Sequence, residues 1–102
     1  MGEMIRVAST NDIAPGQAIA VEVQGRRVAV FNVDGKFFAI SDICTHRGGP
    51  LSQGELEGTT VTCPWHGAKF DVRTGSVLGP PATTNVASYK VVVENGEISL
   101  QL

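Results

Sequence analysis

The chain has 102 residues, 42% of them hydrophobic and 18% charged, with a formal net charge of −2. That describes one globular domain, too short for two and too apolar for disorder, and it carries no basic stripe of the kind nucleic-acid binders use. No apolar run approaches the roughly 20 residues that cross a bilayer, and the N-terminal MGEMIRVAST lacks the apolar core of a secretory signal.

Strands are expected along the whole chain and helices nowhere. Ile5-Arg6-Val7 opens as a strand, followed by a polar turn around Asn11-Asp12 and Pro15-Gly16. In residues 18–24, Ile19, Val21 and Val23 fall on one face and Ala20, Glu22 and Gln24 on the other, the period of two of a half-buried strand. Gly25 turns the chain into Arg27–Val33, with Arg26-Arg27 read as a solvated strand end. Asp34-Gly35 is a two-residue hairpin signal, and Lys36–Ile40 returns beside it. Glu55-Leu56 and Thr60–Thr62 are expected to pair across Glu57-Gly58 as a small inserted hairpin. Lys69–Val72 and Ser76–Leu78 flank the turn Arg73-Thr74-Gly75, and Gly79-Pro80-Pro81 must be irregular, because two prolines remove two donors. Ala87–Val93 and Glu97–Leu102 then meet at Asn95-Gly96. Short strands separated by turn signals make this an all-β antiparallel sandwich or barrel.

All the cysteine and histidine sits in two short segments: Cys44-Thr45-His46 and Cys63-Pro64-Trp65-His66. Two cysteines could form a disulfide, but a disulfide has no need of a histidine two or three residues from each thiol. Thiolates and imidazoles concentrated in this way are metal ligands, and metal-bound thiolates fit a reducing cytoplasm. A structural zinc site would suit the ligand types. Zinc modules, however, usually draw a pair of cysteines from one loop and a pair of histidines from another, whereas here each loop supplies one sulfur and one nitrogen. A two-iron cluster with two sulfurs on one iron and two nitrogens on the other requires that mixed supply.

These residues resemble the Rieske proteins, whose pattern is C-x-H, sixteen or seventeen residues, then C-x-x-H; sixteen residues separate His46 from Cys63. The likeness extends to Gly49 and Leu51, to Cys63-Pro64-Trp65-His66-Gly67, to Phe70-Asp71 with Thr74-Gly75, and to Gly79-Pro80-Pro81, which is similar to the family's proline loop. The resemblance implies the Rieske fold over residues 1–102, with a cluster-binding subdomain at about 43–81 inserted in a β-sandwich or barrel base. It implies one Rieske [2Fe–2S] cluster, with Cys44 and Cys63 on the inner iron and His46 and His66 on the outer iron near the surface. Two ferric ions, two sulfides and two thiolates sum to zero charge, so the cluster accepts an electron more readily than one held by four thiolates. High-potential members carry a Ser and a Tyr in the second loop that donate hydrogen bonds to sulfur, and an extra disulfide. Here Ala68 and Phe70 stand at the donor positions and no spare cysteine exists, which predicts a low-potential centre.

A coordinatively saturated cluster transfers one electron and performs no other chemistry. The implied function is that of the small ferredoxins of aromatic-ring-hydroxylating dioxygenases, which are carriers and not enzymes. Such a protein takes electrons from an NAD(P)H-dependent flavin reductase and gives them to a terminal oxygenase in aromatic hydrocarbon catabolism, here as a cytoplasmic monomer. A Rieske portion of a larger oxygenase or nitrite-reductase-like enzyme is the alternative, as is a zinc-stapled interaction module. The chain has no histidine left for a mononuclear iron site, and its start at Met1 and end on a strand fit an independent protein. Trp65 is expected to be an apolar lid. Arg47 and Thr45 are assigned to the first loop without a settled role, Gly48-Gly49 to backbone room beside the cluster, and Asp71 to a turn.

Overall fold

Ten strands build two antiparallel sheets in the computed structural model, which describes residues 4–44, 48–65, 67–80 and 84–101. The strands are β1 (Met4–Ser9), β2 (Ala18–Val23), β3 (Arg26–Val33), β4 (Lys36–Ser41), β5 (Glu55–Glu57), β6 (Thr60–Thr62), β7 (Lys69–Asp71), β8 (Val77–Gly79), β9 (Ser88–Glu94) and β10 (Glu97–Gln101). The larger sheet has the order β1-β10-β9-β4-β3-β2, and its edges β1 and β2 approach each other, so that it curls toward a barrel. The smaller sheet is β5-β6-β7-β8. The only helical turns among the described residues are 3-10 turns at Thr10–Asp12 and Leu51–Gln53. No helix among them is long and apolar enough to cross a membrane.

Local chemistry explains the larger sheet. Gln24-Gly25, Asp34-Gly35 and Asn95-Gly96 all take φ between 51° and 89°, the paired positive values of tight hairpins whose twist matches the strands. Buried Asn32 reinforces the second of these: its amide donates to the Ile13 carbonyl (2.7 Å) and its carbonyl accepts from the Gly35 N–H (2.8 Å). Strand β3 is buried on both faces over Val28–Asn32, and its period of two divides two cores. Val28 and Val30 pack with Val23, Ala39, Ile98 and Leu100 inside the larger sheet. Ala29 and Phe31 point the other way and meet Val61 and Phe70 from the smaller one, with Leu51 of the 3-10 turn and Val72 just beyond β7. Burying a Phe31 or Phe70 side chain is worth about 1.5–3 kcal/mol each, so this shared strand fixes how the two sheets sit together.

The smaller sheet is more extensive than the expected hairpin. Residues 69–79 add β7 and β8 to β5 and β6, because Val61 pairs with Phe70 and Phe70 with Val77. Its first turn also falls one residue later than expected. Glu57 pairs with Thr60, leaving Gly58-Thr59 as the turn with Gly58 at φ 61°. Gly79 ends β8 and pairs with Lys69 rather than being irregular; Pro80 follows in a turn, and Pro81 lies outside the described residues. The segment carrying this sheet leaves the larger one after Ser41 and rejoins it at Ser88, where the Ser41 N–H donates to the Ala87 carbonyl (2.9 Å).

Candidate metal centre

Cys44 and Cys63 each open a six-residue loop, and the two loops close in the same way. In the first, the Cys44 N–H donates to the Gly49 carbonyl (3.0 Å) and the Gly48 N–H donates to the Cys44 carbonyl (2.8 Å). In the second, the Cys63 N–H donates to the Ala68 carbonyl (2.7 Å) and the Gly67 N–H to the Cys63 carbonyl (3.1 Å). The flanking residues pair across each base, Ile43 with Pro50 and Thr62 with Lys69. Reversal within so few residues needs one left-handed backbone position, and Gly48 (φ 75°) and Gly67 (φ 78°) supply it at the same place in each loop.

Both thiols are buried, Cys44 to 2% and Cys63 to 3% exposure, and the two are not joined as a disulfide. Leu51, Val61, Ala68, Phe70 and Val72 share their cluster, so the sulfurs sit in an apolar, low-dielectric pocket. The loops also touch. A Cβ added at Gly49 would stand 2.8 Å from Cys63 Sγ and 3.1 Å from the Cγ and Cδ2 of Trp65. Gly49 thus keeps the first loop's backbone against the second loop's sulfur, the backbone room that the sequence suggested. Two soft thiols at equivalent positions of two like-shaped, touching loops fit a site that takes one sulfur from each. His46 and His66 lie outside the described residues, as do Thr45 and Arg47.

Trp65 is 56% exposed, with one part of its indole against Gly49 and the rest in solvent. Ile43, 47% exposed, stands beside Gly48. Two exposed apolar side chains therefore border the loops.

The loops are anchored differently. The second hangs from the β6–β7 ladder, with Val61 and Phe70 fully buried beneath it. Beyond β7 the chain turns on Asp71, whose Oδ1 accepts from the Arg73 N–H (2.8 Å) and Nε (3.1 Å) and whose Oδ2 accepts from Nη2 (2.9 Å). The guanidinium's hydrogen bonds hold the Asp71 carboxyl below its ordinary range against the opposing effect of burial, with the backbone N–H assisting. Asp71 is the turn residue that the sequence implied.

The first loop is anchored by Asp42, which the sequence reading passed over. Its backbone joins β3 to the 3-10 turn: the Asp42 N–H donates to the Arg27 carbonyl (3.0 Å), and its carbonyl accepts from the Leu51 N–H (2.8 Å). Its side chain is fully buried. Oδ1 accepts from the Ser52 N–H (2.7 Å), and Arg27 Nη2 stands 3.1 Å from Oδ2. That second contact has ion-pair distance without hydrogen-bond alignment, and Oδ2 accepts no hydrogen bond from the described residues. Arg27, expected as a solvated strand end, keeps half its side chain in water while its guanidinium reaches the buried carboxylate. The signal was present in the Asp34-Gly35 hairpin, whose register, carried one step past Val28–Ser41, sets Arg27 beside Asp42.

Residues 3–90 match the family described as the Rieske [2Fe-2S] domain. The ferredoxin component of the naphthalene 1,2-dioxygenase system of Pseudomonas putida is 37% identical over 98 residues, covering 96% of this chain and 94% of that protein. The ferredoxin of carbazole 1,9a-dioxygenase from Nocardioides aromaticivorans IC177 superposes with a TM-score of 0.92 at 34% identity, over 95% of each chain. A chain from a complex of reduced oxygenase and oxidized ferredoxin in carbazole 1,9a-dioxygenase superposes with a TM-score of 0.90 at 34% identity, over 96% of this chain and 92% of that one.

Proposed function

Because this chain belongs to the Rieske [2Fe–2S] domain family, we propose that it is the ferredoxin component of an aromatic-ring dioxygenase system. The observation that carries this reading is its match, over nearly the full length of both, to ferredoxins of such systems in sequence and in structure. The cluster supplies reversible one-electron storage. The chain's residues hold it, insulate its inner side and present its outer side. Cys44 and Cys63, buried among apolar side chains, are the ligands of the inner iron, and His46 and His66 those of the outer iron. The part of the single domain that binds the cluster runs from about 43 to 81.

An NAD(P)H-dependent flavin reductase is the electron donor and a terminal dioxygenase the acceptor. Ile43 and Trp65, both exposed beside the loops, give both partners apolar contacts near the same exit point. A carrier that must leave after each electron suits an interface below about 1,200 Å². The chain works as a cytoplasmic monomer.

The potential lies near the lower end of the roughly −150 to +300 mV span of Rieske centres. Ala68 and Phe70 are both fully buried in the cluster that contains Cys44 and Cys63, and neither carries a hydroxyl to donate to sulfur. Electron paramagnetic resonance of the dithionite-reduced protein tests the assignment. A low average g, the mark of mixed sulfur and nitrogen ligation, is expected; a colourless protein without the signal overturns it. Ala68→Ser with Phe70→Tyr should raise the midpoint measured by voltammetry, and an unmoved midpoint overturns the low-potential explanation.

A further inference from the structure

We infer that Asp42 is a fixed negative charge that lowers the reduction potential of the cluster, and that Arg27 partly neutralises it. The inference rests on the carrier reading and deepens it. Four observations carry it. Asp42 is two residues from Cys44, so a short span of backbone holds its carboxylate near that ligand. Its side chain is completely buried, where neither water nor salt screens it well. Its two oxygens are treated unequally, Oδ1 taking a 2.7 Å hydrogen bond from the Ser52 N–H while Oδ2 takes none from the described residues. Arg27, the one cation beside Oδ2 among the described residues at 3.1 Å, has half its side chain in solvent, so its field is screened more than that of the carboxylate.

A neutral residue could make the loop's backbone bonds as well. The Arg27 carbonyl and the Leu51 N–H meet the Asp42 main chain, and the Ser52 N–H needs only an oxygen. Holding the loop therefore does not explain a charge. Burying a carboxylate costs free energy that its partner recovers only in part. What the charge does is oppose the arrival of an electron on a cluster nearby. Its effect has the same sign as the missing hydroxyls at Ala68 and Phe70, but it acts through space rather than through a hydrogen bond to sulfur.

The test uses the whole holoprotein. Asp42→Asn keeps the size and the oxygen for Ser52 and removes the charge. The expected result is a higher midpoint with unchanged g values, and a shift that persists at high salt. Arg27→Gln should move the midpoint the opposite way, downward, since the buried carboxylate then stands without its counter-charge. Glu97→Gln makes the same formal change at an exposed residue of β10 paired with Arg6, and should leave the midpoint in place. A purely structural role for Asp42 predicts faster cluster loss in both Asp42→Asn and Arg27→Gln, without midpoint shifts of opposite sign. An Asp42→Asn protein that retains the Rieske spectrum at the parent's midpoint overturns the inference. If Asp42→Asn does not assemble, Arg27→Gln decides, and an unmoved or raised midpoint overturns it. A parent protein lacking the Rieske spectrum overturns the carrier reading itself, whereas a normal parent spectrum with unmoved variants overturns this inference alone.

Discussion

The two cysteine loops are closed by equivalent hydrogen bonds and equivalent glycines, and they are anchored by different means. The second is the turn of a sheet: the β6–β7 ladder brings Thr62 and Lys69 together, and the buried Phe70 and Val61 hold the ladder down. Among the described residues the first has a single bridge, Ile43–Pro50, at its base, and the buried side chain of Asp42 adds a bond to Ser52. Part of a ladder's work can thus be done by one buried side-chain oxygen, and because that oxygen here belongs to a carboxylate it also brings a charge to the site. Gly49 and Ala68 occupy equivalent positions, and at Gly49 there is no room for the methyl group that Ala68 carries, because the sulfur and indole of the second loop stand against it.

The largest expected effect ignores the asymmetry. Cys44→Ser and Cys63→Ser should each abolish the visible spectrum of the bound cluster, and an intact spectrum in either would remove that residue from the ligand set. Next, Gly49→Ala should separate the loops. Its Cβ meets Cys63 Sγ at 2.8 Å, an overpacking worth about 1–3 kcal/mol in denaturant titrations and visible as cluster loss, whereas Ala68→Gly at the equivalent place should retain the cluster. Equal penalties for the two would show that the contact between loops is unimportant. Gly48→Ala and Gly67→Ala, by contrast, should cost the same, about 1–2 kcal/mol each, because both positions have room for a methyl group and only the positive φ resists it.

The smallest effect concerns the second ionic pair, Asp71–Arg73. The folded carboxyl of Asp71 lies below its unfolded value of about 3.9. Its contribution to stability is therefore complete above that value and is lost as the pH falls through the lower, folded one. The stability difference between the parent and Asp71→Asn should be constant near neutrality and shrink below about pH 4. A difference growing with acid would reverse the sign. Because Arg73 is exposed, the same difference should also weaken with salt more than that between the parent and Asp42→Asn.

Most of the β architecture was legible from turn chemistry and the period of two, both of which are local. Asp34-Gly35 and Asn95-Gly96 specify their hairpins almost unaided, since few other dipeptides accept two positive φ values. That Cys44 and Cys63 lie together in one buried cluster was legible, because cysteine and histidine are rare in this chain and concentrated in two short segments. The smaller sheet was only half legible, because Phe70 pairs on both sides and nothing in the short strands flanking it announces a four-stranded sheet. Asp42 was missed for a different reason. A carboxylate at the end of an apolar strand looks like the start of a loop, and its burial becomes evident only when Arg27 is brought alongside by the β3–β4 register.

The bond from Ser41 to Ala87 has a consequence for how the chain can vary. It pins both ends of the inserted segment at one point on the larger sheet, so the host closes whether its guest is long or short. Closure entropy grows only with the logarithm of length, each doubling adding about 0.6 kcal/mol. A change in the length of the inserted segment therefore costs the larger sheet little closure entropy, provided the core that Phe31 shares with Phe70 is kept.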